Sequence, residues 1–405
     1  MDHFESAMDL IFKTPLYANL YKSHGINRND IKNKQDLSKL PTVSKNNINE
    51  DFTKAIAKPN DVIKYHTTSG TSGNPTVVAF TKNDWDIYVR QNTKCLKLIG
   101  ATKHDTFYNS TPYGMFFAGM VLHDASINLG GKVIPAGALS TAEAHLSLIQ
   151  IFNPSVFIGI PQFLLKLGRT IIDMGNDPRE LSFKKAYCLG EPLPYKKRQL
   201  IEDLWDIEIY CGYGLSEVGA GAECSEKLGF HWPTNDILVE VLDEKNGKGE
   251  LTYTTLTKTG TLAVRFRSRD LGYILDEPCP CGEKTPLISH IEERIDDLVK
   301  VKGTLVSPYS IDSALYSFKN VSNYLFVIDD ENGIDAVRVY VEGENIDPLS
   351  IKDSVYSMTY ITPNSVNFIE KDSIPIISRK GKRFVDLRKD NPYNNTIRNF
   401  EKGVL

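Results

Sequence analysis

Residues 67–76 read TTSGTSGNPT, a run in which hydroxyl side chains surround two glycines. Backbone N–H groups spaced this closely can turn toward one anion, because glycine tolerates the positive φ that the turn requires. That is the chemistry of a phosphate cradle. It is not the Walker form, since no Gly-Lys-Ser or Gly-Lys-Thr follows and no lysine lies inside the loop. A flexible Ser/Gly linker has a similar composition, so the loop alone leaves both readings open. A second concentration of chemistry is sulfur and imidazole: Cys224 and His231 stand as C-x6-H, and Cys279 and Cys281 as C-x-C within CPCG. Three thiolates and one imidazole would make a closed tetrahedral zinc set with no open position for catalysis. Neither half has the spacing of a standard finger, and spacing alone favours reduced cysteines beside a surface histidine. Further on, Arg379, Lys380, Lys382 and Arg383 form a basic run, whose commoner fate is a solvated face.

The elements that must position these groups follow from the apolar pattern. The first fifty residues read as two helical pieces, with Phe4, Met8, Ile11 and Phe12, then Tyr17, Leu20 and Tyr21, near the 3.6-residue period. From Val62 onward, short strand candidates (VVAF, KVIPA, SVFIGI, KAYCLG, IEIYCGYG) alternate with helical stretches over 85–99, 142–152, 163–174 and 196–204. That alternation predicts βα units on a largely parallel sheet. After Asp236 the texture turns to strand-turn-strand, with ILVEVLD and LTYTTLT joined through an Asn-Gly turn and followed by TLAVRFRSRD. A boundary at 294–297 opens a smaller α+β part, with a strand pair and then a helix from about Pro308 that carries Asp312 in its first turn. The expected fold class is α/β: a large N-terminal domain of βα sheets with a β-rich subdomain, residues 1–295, plus a small mobile α+β C-terminal domain, residues 296–405.

Composition narrows the function. The 405 residues carry 47 Lys+Arg against 51 Asp+Glu, a formal charge of −4. A protein living on nucleic-acid phosphates or anionic lipid usually shows a basic excess, so no nucleic-acid and no membrane partner is expected. The opening MDHFESAMDLIFK has acids where a secretory signal would have lysines, and the most apolar stretch, from Val156, is interrupted by Gln162 and too short to span a bilayer. The expected location is cytoplasmic, where six cysteines stay reduced. Cys95, Cys188 and Cys211 fall in helix or strand patterns and read as small core residues. A homodimer is left open.

The chain resembles the adenylate-forming superfamily of acyl-CoA synthetases and adenylation domains, and most of all its phenylacetate–CoA ligase branch. The matching pieces run in family order over nearly the whole length: LPTVSKNNI, TTSGTSGNPT, PYGMFFAGM, LGEP, CGYGLSEVGAGAEC, GELTYTTLT, VRFRSRDLG, CPCG, RIDDLVKVKG and SRKGKRFVD. The resemblance implies ATP-dependent activation of an aryl or arylacetic acid as its acyl-adenylate, followed by transfer to coenzyme A. The alternatives are a stand-alone enzyme loading a carrier protein's phosphopantetheine, and a non-catalytic nucleotide-binding regulator. Retention of Glu217, Asp270 and Lys380 speaks against the last.

The same resemblance assigns roles. Thr68, Ser69, Gly70, Thr71, Ser72 and Gly73 would hold the ATP phosphates. Tyr213 and Gly214 would lie near adenine, Ser216 at the α-phosphate, and Glu217 would ligate magnesium, a metal that needs only one or two carboxylates besides phosphate and water. Gly190, Glu191 and Pro192 would line the adenine, although the family has Gly-Ala-Glu-Pro and this chain is one residue shorter. Asp270 would accept the ribose hydroxyls; its competing role is as ion-pair partner of Arg267 or Arg269. Lys380 matches the lysine that polarises the adenylation transition state, with Lys382 the alternative register. Asp296 would be the hinge, Arg294 would approach ribose or phosphate, and residues 300–303 would face the acceptor thiol. Tyr113, Gly114, Phe116, Phe117, Gly219 and Ala220 would wall the acyl pocket, Phe116 and Phe117 having a sheet-core reading as well. Some relatives carry the same Cys and His elements around a structural metal, which favours zinc at Cys224, His231, Cys279 and Cys281.

Overall fold

The computed structural model describes residues 3–68, 75–137, 141–232, 236–375, 377, 383–390 and 392–403. The fold is α/β, and the chain divides into two compact units. One comprises Met1–Gly159, Glu180–Gly190 and Glu208–Ile291; the other Ile160–Arg179, Glu191–Ile207 and Glu292–Leu405.

In the first unit, nine strands among the described residues form one sheet. Its order is Ile274–Leu275, Leu287–Ile288, Phe230–His231, Gly219–Ala222, Glu208–Leu215, Lys185–Cys188, Val156–Gly159, Thr106–Asn109 and Lys132–Ile134. The five strands from Glu208–Leu215 to Lys132–Ile134 pair in parallel, as the βα alternation predicts. Those on the other side pair antiparallel. Glu208–Leu215 is therefore the strand at which parallel pairing gives way to antiparallel, and YGLSE begins at its C-terminal end. Thr106–Asn109 and the helix Ala118–Leu129 lie outside the elements that the pattern picks out. The strand is only four residues long, and the helix has a weak amphipathic stripe, so neither carries a clear period.

Val62–Thr67 and Val77–Thr81 pair antiparallel and frame the glycine-rich loop. The β-rich part follows its reading: Ile237–Lys245 pairs with Lys248–Thr255 across Asn246-Gly247, and Phe266–Gly272 pairs on the other side. Asn246 and Gly247 have φ of 53° and 77°, the left-handed pair that a two-residue hairpin turn requires. The two N-terminal helices, His3–Ile11 and Pro15–Ser23, bury Phe4, Met8, Ile11, Tyr17 and Tyr21 in one core with Leu251, Tyr253, Val264 and Phe266. Cys95, Cys188 and Cys211 are buried, as small core residues should be.

In the second unit, four strands run in the order Ser365–Ile369, Ile334–Gly343, Val321–Glu331 and Phe384–Asp386, antiparallel in the middle and parallel at both flanks. Leu325, Val327, Val385, Leu387 and Ile397 form a core there. The helices Pro161–Asp173 and Tyr195–Trp205 approach closely at Gly168, where a Cβ would lie 2.6 Å from Trp205 Nε1. Pro308–Leu315 starts where predicted, capped by Ser307, but Asp312 is not in its first turn. It sits one turn further in, buried, because Tyr324 Oη donates to it at 2.6 Å and Arg383 Nε lies 3.5 Å away.

One buried carboxylate ties the first unit's hairpin to its β-rich part. Asp84, in the first turn of Lys82–Leu98, accepts from Thr259 N at 2.8 Å, Gly260 N at 2.7 Å and Thr81 N at 3.2 Å. Asp84→Ala leaves buried N–H groups without an acceptor and should destabilise the protein by roughly 2–4 kcal/mol. A denaturant midpoint unchanged from wild type would contradict this assignment.

Candidate active site

The first unit brings together most of the residues assigned to the nucleotide. Thr68 N donates to Thr76 O at 2.9 Å, and Thr76 N to Thr68 Oγ1 at 3.2 Å, so these threonines close the base of the glycine-rich loop. Ser69, Gly70, Thr71, Ser72 and Gly73 lie outside the described residues, as do Lys380 and Lys382.

Glu217 follows the end of Glu208–Leu215 and is fully buried. Among the described residues neither carboxylate oxygen has a hydrogen-bond partner, and Lys45 Nζ pairs with the carboxylate at 3.5 Å from Oε1. Lys45 opens the helix Lys45–Glu50, where Ser44 and Asn47 form a capping box that fixes the approach of the chain. The backbone of the Ser216-Glu217 pair is held from below. Tyr88 Oη donates to Ser216 O at 2.7 Å, and Lys258 Nζ to Glu217 O at 2.8 Å. Lys258 is buried over the Phe80 and Tyr88 rings, and burial depresses its pKa to about 8.

Tyr213 and Asp270, named separately for adenine and ribose, are joined: Tyr213 Oη donates to Asp270 Oδ2 at 2.6 Å. Tyr253 Oη donates to Tyr213 Oη at 3.3 Å, and burial, with the Asp270 charge second, raises the Tyr213 pKa well above its usual value. Arg267 Nε and Arg269 Nη1 lie 2.8 Å and 3.6 Å from Glu250 Oε2. Among the acyl-pocket candidates, Phe117 is half-buried against His66, Phe80 and Tyr88, with ring centroids 5.9, 5.5 and 5.6 Å away. It is thus at once part of the core and at its margin. Tyr113 Oη accepts from Asn109 Nδ2 at 2.9 Å, and burial pushes its pKa up to about 12. Gly114 and Phe116 lie in the same segment, ahead of the helix Ala118–Leu129, and Gly219 and Ala220 open the strand Gly219–Ala222.

Cys224, His231, Cys279 and Cys281 converge, their ligand atoms all within 4.8 Å of one another. Cys224 Sγ is 3.6 Å from Cys279 Sγ, and Cys281 Sγ is 3.3 Å from His231 Nε2. The four ligands come from the segment following Gly219–Ala222, from Phe230–His231 and from the CPCG turn.

In the second unit, Glu191 accepts from Gln162 N at 2.8 Å and Lys197 Nζ at 3.0 Å, and Arg383 Nη2 is 3.5 Å away. Its carboxylate thus serves a buried ion cluster that the sequence did not reveal. Gly190 belongs to the first unit, Glu191 and Pro192 to the second. Arg294 Nε lies 3.6 Å from Asp297 Oδ2, and Asp296 sits in the short turn Ile295–Asp297. Sequence reasoning gave no role to Lys45, Tyr88 or Lys258. A lysine closing the otherwise apolar and threonine-rich LTYTTLTKTG was the one available signal; Tyr88 has the spacing of an ordinary core aromatic.

Comparison with known proteins agrees with this geometry. Residues 14–265 match the family model of the AMP-binding enzymes. The chain is 31% identical over 344 residues to a phenylacetate-coenzyme A ligase of Pseudomonas putida, covering 81% of this chain and 77% of that protein. It is 30% identical over 344 residues to the phenylacetate-coenzyme A ligase of Thermus thermophilus, covering 82% and 77%. In fold it superposes on a 2-hydroxyisobutyryl-CoA ligase in the postadenylation state with a TM-score of 0.86 at 20% identity, covering 99% of this chain and 91% of that one. No helix among the described residues is long and apolar enough to cross a membrane. The chain belongs to the AMP-binding enzyme family and is an adenylate-forming, phenylacetate–CoA ligase-like enzyme.

Proposed function

We propose that the enzyme activates an aryl or arylacetic acid with ATP and passes the acyl group to coenzyme A. The observation that carries this reading is Glu217: a fully buried carboxylate to which no described residue donates a hydrogen bond, with Lys45 as a counter-charge 3.5 Å from Oε1, next to Ser216 and in the same unit as the Tyr213–Asp270 pair. Burying a carboxylate without hydrogen bonds is unfavourable even beside one lysine, so its oxygens remain open to a metal cation. Glu217 fits magnesium, which would neutralise phosphate charge when bound.

The electrostatic difficulty is that a substrate carboxylate must attack an α-phosphate that is also negative. Cations and amide dipoles must therefore stand where charge builds up in the transition state. Residues 68–73 would cradle the leaving pyrophosphate, and Ser216 would donate to the α-phosphate. Asp270, oriented by the Tyr213 hydroxyl, would hold the ribose hydroxyls. Lys258 and Tyr88 fix the Ser216 and Glu217 carbonyls, so the side chains of this pair start from a rigid backbone. Lys380 would stabilise the charge developing between acid and phosphate. In the second reaction the thiol of coenzyme A attacks the acyl carbon of the adenylate, and AMP leaves with the electron pair of the broken anhydride bond. A division at residues 294–297, with Asp296 as hinge, would let residues 296–405 serve both reactions.

The cysteine cluster fits zinc. Tetrahedral Zn–S bonds of about 2.3 Å put sulfurs about 3.8 Å apart, close to the Cys224–Cys279 spacing of 3.6 Å. Burial lowers the His231 pKa, which keeps the ring neutral as a ligand must be, and pushes the Cys224 thiol up to about 12, so a cation is needed for its thiolate.

With ATP, magnesium and a panel of aryl acids, pyrophosphate should appear, and a thioester only when coenzyme A is added; pyrophosphate with no thioester would redirect the second step to another thiol. Glu217→Gln should lower pyrophosphate release on the order of 10²-fold and raise the magnesium requirement. Lys380→Ala should abolish adenylation while ATP still binds, and a dead Lys382→Ala beside an active Lys380→Ala would move the role to Lys382. Elemental analysis should give about one zinc per chain, as four protein ligands imply; metal-free protein with an unchanged melting temperature would remove the zinc.

A further inference from the structure

Two buried polar atoms beside the acyl-pocket candidates lack a hydrogen-bond partner among the described residues: Gln91 Oε1 and His66 Nε2. Gln91 is 3% exposed and His66 4%. Leaving either unpaired is unfavourable, so each needs a reason. Gln91 lies on Lys82–Leu98, three residues after Tyr88, and reaches Gly219. A Cβ at Gly219 would stand 2.5 Å from Gln91 Oε1 and 2.9 Å from Ile237 Cδ1, so the amide oxygen occupies the space in which a side chain at 219 would begin. His66 stands on the strand leading into the glycine-rich loop, its ring 5.9 Å from that of Phe117. Its Nδ1 is 3.2 Å from Met115 O. A carbonyl can only accept, so Nδ1 carries the proton and Nε2 is left as an acceptor. Burial depresses the His66 pKa and keeps the ring neutral.

We propose that Gln91 is a specificity-determining residue that reads a hydroxyl or amino substituent on the acid, with His66 Nε2 as a second acceptor beside Phe117. The proposal rests on the reading of Phe117 and Gly219 as walls of the acyl pocket. An unsubstituted aryl ring has nothing to give an amide oxygen, and would leave both atoms unpaired while excluding the water that could serve them. A hydroxyl or amino group supplies a proton and can also accept, so it satisfies the Gln91 amide in either orientation. A site built to hydrogen-bond a substituent discriminates strongly against analogues that lack it.

The test is kcat/KM for pyrophosphate release with an unsubstituted aryl acid and its methyl, hydroxyl and amino derivatives, in wild type and in Gln91→Leu. Wild type should favour a hydroxyl or amino acid over the unsubstituted and methyl acids by about 10²-fold or more. Gln91→Leu should bring that ratio within about tenfold, with the KM for ATP unchanged. Equal use of all four acids by wild type, or an unmoved ratio in the leucine variant, would overturn the proposal. Gln91→Met serves the same comparison should the leucine variant not fold. Pyrophosphate with every acid at equal efficiency removes only the role of Gln91, whereas none with any acid removes the acid-activation reading as well.

Discussion

Burying a carboxylate with no hydrogen bond to it is among the least favourable things a fold can do, and among the described residues Glu217 is buried in that way, with Lys45 as its counter-charge. Much of the surrounding structure makes sense as support for that placement. The strand Glu208–Leu215 carries the chain to the point where parallel pairing changes to antiparallel, and Glu217 lies two residues beyond its end. Lys45 brings one positive charge near, while Lys258 and Tyr88 grip the backbone on either side of the Ser216–Glu217 peptide. With its main chain held, the carboxylate can move only by turning about its own side-chain bonds. A site pre-set in this way receives a cation without reorganising, which is the condition under which electrostatic catalysis is strongest.

The same logic separates the two buried charge systems. Glu191, Lys197, Arg383 and Asp312 face one another as opposite charges, and Tyr324 and the Gln162 amide donate to the two carboxylates, while Arg383 Nε, 3.5 Å from Asp312, makes no hydrogen bond among the described residues. Such a network, closed in charge, contributes rigidity. Glu217 faces one cation, Lys45, and no described residue donates a hydrogen bond to it; His231 Nδ1, beside the sulfurs, is likewise without a hydrogen-bond partner among the described residues. Open and closed clusters differ in what they can bind, although their residue types are much the same.

Most of the fold was legible because it is written in periods. The βα alternation from Val62 onward, the Asn246-Gly247 turn and the amphipathic N-terminal helices all follow local rules. The site was legible in part, since glycine-rich loops and a C-x-C pair advertise themselves by composition. What the sequence concealed is long-range: Tyr213 meets Asp270 across 57 positions, and Lys258 meets Glu217 across 41. A lysine in a threonine-rich run gives no sign of the carbonyl it will hold. Asp312 was misplaced for a related reason, since an acid near a helix start reads as an interaction with the helix dipole until the cation that buries it is known.

The contact between Gln91 and Gly219 has a consequence for how this enzyme could change. The two positions are 128 residues apart in sequence, yet a side chain at 219 would begin where the Gln91 amide ends. A side chain at 219 would also meet Ile237 Cδ1 at 2.9 Å and would have to adopt the φ of 158° that glycine holds, so shortening 91 opens a void without admitting one. Position 219 is therefore expected to stay glycine whatever stands at 91, and change is left to position 91 alone.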